Sequence, residues 1–196
     1  NIDKFILFLI LSLFLLGLFF SLVSTSIIAS DKLNTNTYYF FIKHLFFIFL
    51  GIFILITFSA IDQKKLFNLS QYLFLIFFIF LALVPFIGIE VKGSMRWIDL
   101  PIIPRFQPIE ILKPFLIIMI STIFTLNNHK HLYFKYLFSF FIIFPVILFL
   151  VSQPDLGQTV LIVLTWFSLI FVSGVNLLFF LGFFAITFSI FFYLIF

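Results

Sequence analysis

The chain of 196 residues contains no cysteine. Disulfides and thiolate metal sites are therefore excluded, and the redox compartment cannot be read from thiol usage. Charge is almost as scarce. Asp, Glu, Lys and Arg together supply 9% of the residues, against about 25% in an ordinary soluble domain. The net charge of +4 is small, comes from short loops, and offers no nucleic-acid-binding face. Glycine and proline number seven each, and they form no linker or low-complexity segment. No internal repeat divides the chain, which reads as one membrane domain over residues 1–196.

What is abundant is apolar. Hydrophobic residues make up 64% of the chain, phenylalanine alone accounts for 37 positions, and the mean hydropathy is +1.35. That composition belongs to a polytopic membrane protein, and most of the phenylalanines read as lipid-facing or packing residues. Long apolar runs at residues 5–28, 38–60, 67–89, 109–126, 136–151, 159–175 and 177–196 predict seven spans. Most are long enough to cross a hydrocarbon core of about 30 Å at 1.5 Å per residue. The fold class is all-α, an integral membrane helix bundle. Polar stretches at 31–37, 62–65, 127–135 and 153–158 read as the turns between spans. The turn at 173–176 is short enough to make the last two spans antiparallel neighbours. The first run is too long for a signal-peptide core and lacks a cleavage site. The chain starts at Asn1 and stops within an apolar run, so it reads as a fragment truncated at both ends.

Two stretches break the apolar pattern. Residues 92–113, KGSMRWIDLPIIPRFQPIEILK, gather Lys92, Arg96, Arg105 and Lys113 with Asp99, Glu110 and Trp97. Residues 152–158 read SQPDLGQ. Arg96 and Arg105 could grip a phosphate group in bidentate fashion, with Trp97 anchored at headgroup level; binding of ordinary anionic lipid headgroups would require the same residues. Pro108 suits the first position of a helix, with Gln107 at the cap. Glu110 then falls in the first turn, where a carboxylate suits the positive helix end, and Lys113 lies three residues on, within pairing reach. Capping accounts for Glu110 but not for Lys113, whose ammonium lies deeper, where charge is costly and faces a cavity or a partner. A Glu110–Lys113 pair lining an interior cavity is therefore expected. Asp155 reads as the N-cap of the next helix. Lys43 is expected to snorkel to the interface, and His44, His129 and His131 form no metal pattern.

With the N-terminus inside, lysines 4, 64, 65, 130 and 135 lie on the inner side, and Lys32, Lys43, Lys92, Arg96, Arg105 and Lys113 on the outer, five against six. Without the cations of the 92–113 loop the count is five against two, which favours the N-terminus inside. Cations held outside against that bias suggest an anionic ligand at the outer leaflet.

The patterns K-G-x-x-R-W-I-D-L and R-F-Q-P-x-E-x-x-K, followed by Q-P-D-L-G, resemble the SEDS family (shape, elongation, division and sporulation), whose members include FtsW, RodA and SpoVE. Two departures stand out: Ile109 where the family has a small residue, and Gln158 where it has Thr or Ser. The resemblance implies about ten membrane helices in the whole protein, of which this chain would carry the first seven. It implies polymerisation of peptidoglycan glycan strands from lipid II at the outer face of the bacterial inner membrane, with an N-terminus in the cytoplasm. It further implies a class B penicillin-binding protein as transpeptidase partner, beside other division proteins and membrane lipids. Substrate-binding or cavity positions would be Arg96, Arg105, Gln107, Glu110, Lys113 and Asp155. The family's essential Asp is expected beyond Phe196, so no catalytic residue is assigned in this chain. No cofactor is evident, and a divalent metal is left open. The first hairpin, with Ser24-Thr25-Ser26, Ala29 and Tyr38-Tyr39-Phe40, is closer to FtsW than to the elongation polymerase RodA. The alternatives from other classes are a lipid-precursor flippase or transporter, which interior charges and proline-broken helices would suit, and a structural division scaffold.

Overall fold

The computed structural model describes residues 3–25, 38–91, 93–101, 104–125 and 132–195. Seven α-helices run through them: α1 (Lys4–Phe20), α2 (Tyr39–Ser59), α3 (Gln63–Ile87), α4 (Pro108–Thr125), α5 (Leu132–Ser152), α6 (Leu156–Val172) and α7 (Leu177–Ile195). Five of the helical segments are long and apolar enough to cross a membrane, and α6 and the described part of α7 are shorter apolar helices. The chain divides into two compact units, residues 1–66 and 67–196.

In the first unit, α1 opens on Asp3, whose Oδ1 accepts from the backbone N–H groups of Phe5 at 2.8 Å and Ile6 at 3.2 Å. This cap satisfies two of the donors that a helix start leaves without partners. The helix ends in a single π turn, Ser21–Thr25. The hydroxyls of Ser12 and Thr57 return to carbonyls of their own helices. The half-buried His44 of α2 lies over Gly17 of α1, where an added Cβ would stand 3.5 Å from the imidazole. Neither helix contains a buried residue, and Lys43 is exposed.

The second unit contains the core. Ile109, Leu112, Leu116 and Ile120 mark one face of α4. They meet Leu81 of α3, Ile143, Val146, Ile147 and Leu150 of α5, and Ile162, Val163, Trp166, Phe167 and Ile170 of α6. These spacings of three and four residues are those of a helical stripe. Phenylalanines extend the packing, with Phe77 stacked on Phe115, Phe78 edge-on to Phe149, and Phe167 edge-on to Phe184 of α7. Between α5 and α6 runs a set of polar ties. Trp166 Nε1 donates to Ser139 Oγ at 2.9 Å, Ser139 Oγ donates to Tyr136 O, and the hydroxyls of Tyr136 and Ser173 share a hydrogen bond of 2.9 Å.

Several boundaries differ from the sequence reading. Residues 63–65 form the first turn of α3 and not a loop, with Leu66 N–H bonded to Asp62 O. The charged start of that helix projects beyond the apolar run that marked it. Residues 132–135, read as loop, open α5. The turn after α5 is confined to residues 153–155, because α6 begins at Leu156. The fold is helical as expected, but the central loop contains a small hairpin that the sequence reading did not predict, β1 (Ile89–Val91) paired antiparallel with β2 (Ser94–Trp97). Gly93, at φ 81°, supplies the left-handed backbone that a two-residue hairpin turn demands. Lys32, Lys92, His129, Lys130 and His131, with the 31–37 turn, lie outside the described residues.

Candidate functional site

The two polar stretches singled out in the sequence meet at one end of the second unit. From β2, Arg96 reaches the turn between α5 and α6. Its Nε donates to Gln153 O at 3.5 Å, its Nη2 donates to Pro154 O, and its Nη1 stands 3.5 Å from Asp155 Oδ1. One guanidinium therefore meets two carbonyls and a carboxylate, a set that suits its planar fork of donors. Asp155 is buried. Its other oxygen accepts from Gln107 Nε2 at 2.8 Å. The expectation that Asp155 caps α6 is corrected: its side chain makes no capping hydrogen bond, because both oxygens are turned toward Arg96 and Gln107. The backbone carbonyl of Asp155 receives Thr159 instead, from N–H at 3.1 Å and from the hydroxyl at 2.7 Å. The side chain of Gln107 likewise points across to Asp155, while its backbone carbonyl accepts from Glu110 N–H at the head of α4.

Gln153, which the sequence reading did not nominate, lies at the hub of this end. Its side chain is buried and donates from Nε2 to Leu81 O at 3.2 Å. Residue 85 of α3 is proline, so it has no N–H to give the carbonyl four residues earlier, which is that of Leu81. A buried carbonyl left in this way demands another donor, and Gln153 provides it. The signal was present in the sequence as Pro85; only the donor, 72 residues from Leu81, was hidden.

The loop after β2 closes on itself. Ile98 and Phe106 exchange backbone hydrogen bonds at 3.0 and 3.2 Å, and inside that closure Arg105 Nη2 binds Asp99 Oδ2 at 3.0 Å. Both of these side chains are half exposed. Arg105 thus keeps much of its surface open, whereas Arg96 is engaged by the 153–155 turn.

On α4, Lys113 Nζ sits 2.7 Å from Glu110 Oε2, the pairing expected from their spacing. Gln158 of α6 joins them. Its Oε1 accepts from Lys113 at 2.9 Å and its Nε2 donates to Glu110 Oε1 at 2.6 Å. Lys113 is 17% exposed and Glu110 49%. Below them, a groove of about 100 Å³ runs between α4, α5 and α6, lined by Lys113, Leu116, Ile117, Ile143, Thr165 and Trp166 among others. Lys113 forms part of this wall and Glu110 does not. A second depression of about 300 Å³, bordered by Glu90, Met95, Ser152 and Gln153, lies by the hairpin. Among the described residues no cluster of three or more His, Asp or Glu offers a metal site.

The family model for FtsW, RodA and SpoVE, described as cell cycle protein, matches residues 4–196. This chain belongs to the FtsW/RodA/SpoVE family. Among curated members, the probable peptidoglycan glycosyltransferase FtsW of Pasteurella multocida is 32% identical over 190 residues, covering 93% of this chain and 47% of that protein. The corresponding FtsW of Coxiella burnetii is 34% identical over 183 residues, covering 89% and 48%. The chain therefore spans about half the length of the curated relatives it matches. Solved structures of the family fold agree. A chain from a study of the structural coordination of polymerization and crosslinking by a peptidoglycan synthase complex superposes with TM-score 0.67 at 23% identity, over 89% of this chain and 52% of its own. The rod shape determining protein RodA of Thermus thermophilus gives 0.64 at 24% identity, over 88% and 58%. The chain is thus a multi-pass membrane protein, and the two curated relatives named above are FtsW proteins.

Proposed function

We propose that the protein carrying this chain is an FtsW-type glycosyltransferase that polymerises peptidoglycan glycan strands from lipid II during bacterial cell division. The observation that carries the reading is the Glu110–Lys113 pair, held at 2.7 Å at the head of a membrane helix with Lys113 in a groove wall. An ion pair in that position is costly to insert and is characteristically tied to an interior pathway or ligand. In glycosyl transfer from a lipid pyrophosphate, the acceptor hydroxyl forms the new glycosidic bond as the bond to pyrophosphate breaks. A base takes the hydroxyl proton, and cations stabilise the departing negative charge. Among the described residues, Lys113 and the half-exposed Arg105 are the cations best placed for this. The carboxylates nearest those cations are engaged by partners, Glu110 by Lys113, Asp99 by Arg105 and Asp155 by Arg96, so the base is expected elsewhere in the whole protein. In this reading the 92–113 loop and the 153–155 turn face the outer side of the cytoplasmic membrane, with the N-terminus inside. A class B penicillin-binding protein crosslinks the emerging strands.

The test is glycan-ladder formation by the full-length protein with lipid II and its transpeptidase partner. Glu110→Gln, which leaves Lys113 without its counter-charge, is expected to lower polymerisation well below the level of Asp31→Asn while folded protein is retained. Full activity of Glu110→Gln would reduce the pair to a helix-end feature. Movement of labelled lipid II across vesicles without any ladders would favour a flippase.

A further inference from the structure

We infer that Gln158 is a positioning residue that closes a ring with Glu110 and Lys113, and that this ring, and not the ion pair alone, sets the direction of the cation at the head of the groove. The inference rests on the proposed function for its activity readout.

Three contacts of 2.6, 2.7 and 2.9 Å join the three side chains in a cycle. Both oxygens of Glu110 are engaged, one by Lys113 and the other by Gln158. A carboxamide is the side chain that donates at one end and accepts at the other, so it can hold an acid and a base at once. A carboxylate could serve only Lys113, and a lysine only Glu110. The ion pair by itself is a weak constraint. Its members lie three residues apart on one helix, where such pairs contribute about 0.2–0.5 kcal/mol, and the half-exposed Glu110 has freedom to turn outward. Gln158 alters this because it belongs to α6, 45 residues from Lys113 and 48 from Glu110. It ties the pair to the opposite wall of the same groove, where Thr165 and Trp166 follow on α6. The orientation of the Lys113 ammonium is thereby fixed by two helices.

The experiment uses the full-length protein in liposomes, with polymerisation of lipid II measured at limiting and saturating substrate and the thermal midpoint measured in parallel. Gln158→Leu removes both contacts. It is expected to lower kcat about ten- to a hundredfold, as loss of orientation does, with the midpoint within about 3 °C of the parent. Gln158→Asn, one methylene short, should behave similarly. The decisive variant is the exchange Glu110→Gln with Gln158→Glu. There the new carboxylate at 158 accepts from Lys113 and from the new amide at 110, so that three contacts and the net charge are kept. It is expected to recover most of the activity that each single change removes. Gln158→Leu at parental rate beside an inactive Glu110→Gln would overturn the ring and leave the role of Glu110 standing. Glu110→Gln at parental rate would overturn the reading of the pair itself. An exchange variant as inactive as its single changes, or a loss of rate that only follows a fallen midpoint, would also overturn the ring.

Discussion

Residues 1–66 and residues 67–196 are built from the same apolar alphabet, yet they pack in different ways. Helices α1 and α2 of the first unit contain no buried residue. The helices of the second unit share a buried core from Leu81 to Ile170. Hydrophobicity does not explain the difference, since phenylalanine, leucine and isoleucine dominate both. In lipid, apolar side chains lose nothing by facing acyl chains, and helix association depends on close packing and on hydrogen bonds between helices. Among the described residues, the first unit shows a glycine under an imidazole, and the hydroxyls of Ser12 and Thr57 return to their own helices. The second has side chains that reach across: Arg96 and Gln107 to Asp155, Gln153 to Leu81, Gln158 to Glu110 and Lys113, Trp166 to Ser139. The comparison teaches that the polar minority decides which helices of this chain are locked together.

Changes that remove a buried crossing contact should therefore cost the most stability. Asp155→Ala leaves the Arg96 guanidinium facing only carbonyls and strips Gln107 of its acceptor. It is expected to destabilise the second unit by about 3 kcal/mol, the scale for breaking a buried ion pair, measured as a fall in the denaturation midpoint in detergent. An unchanged midpoint would mean that the corner at residues 153–155 holds without its carboxylate. Gln153→Leu is next, at about 2 kcal/mol for a buried carbonyl left without a donor. Here the comparison can be sharpened, because Pro85→Ala restores an N–H to α3. In that background the cost of Gln153→Leu should shrink, and a double-mutant cycle showing no coupling would sink the account. At the small end, Phe53→Leu on the exposed face of α2 should stay within about 0.5 kcal/mol.

The helices were legible because apolar run length alone marks a membrane span, and the Glu110–Lys113 pair because three-residue spacing on a helix is a local fact. What escaped was either hidden in polarity or distant in the chain. The start of α3 at Gln63 looked like loop because its charges hid a helical turn. The hairpin at Ile89–Val91 and Ser94–Trp97 escaped because its strands are only three and four residues long, too brief for alternation to stand out from the charges around them. Asp155 preceding Leu-Gly is a sound cap signal by local rules. Only contacts 48 and 58 residues away, from Gln107 to its carboxylate and from Arg96 to the adjoining Pro154 carbonyl, reveal what turns it aside. Gln158 was visible as a departure from the family pattern. That its amide would fit between an acid and a base required knowing that α4 and α6 lie side by side.

The Arg96 contact also has a place in time. Its partner Pro154 lies 58 residues later in the chain, and at the usual pace of synthesis of about 5–20 residues per second that interval is roughly 3–12 seconds. For those seconds the guanidinium exists while the corner it will grip has not been made. Two more helices, α4 and α5, must be threaded into the bilayer before Gln153, Pro154 and Asp155 arrive. The polar end of this bundle therefore cannot assemble until that corner has been made, well after the cation that will hold it.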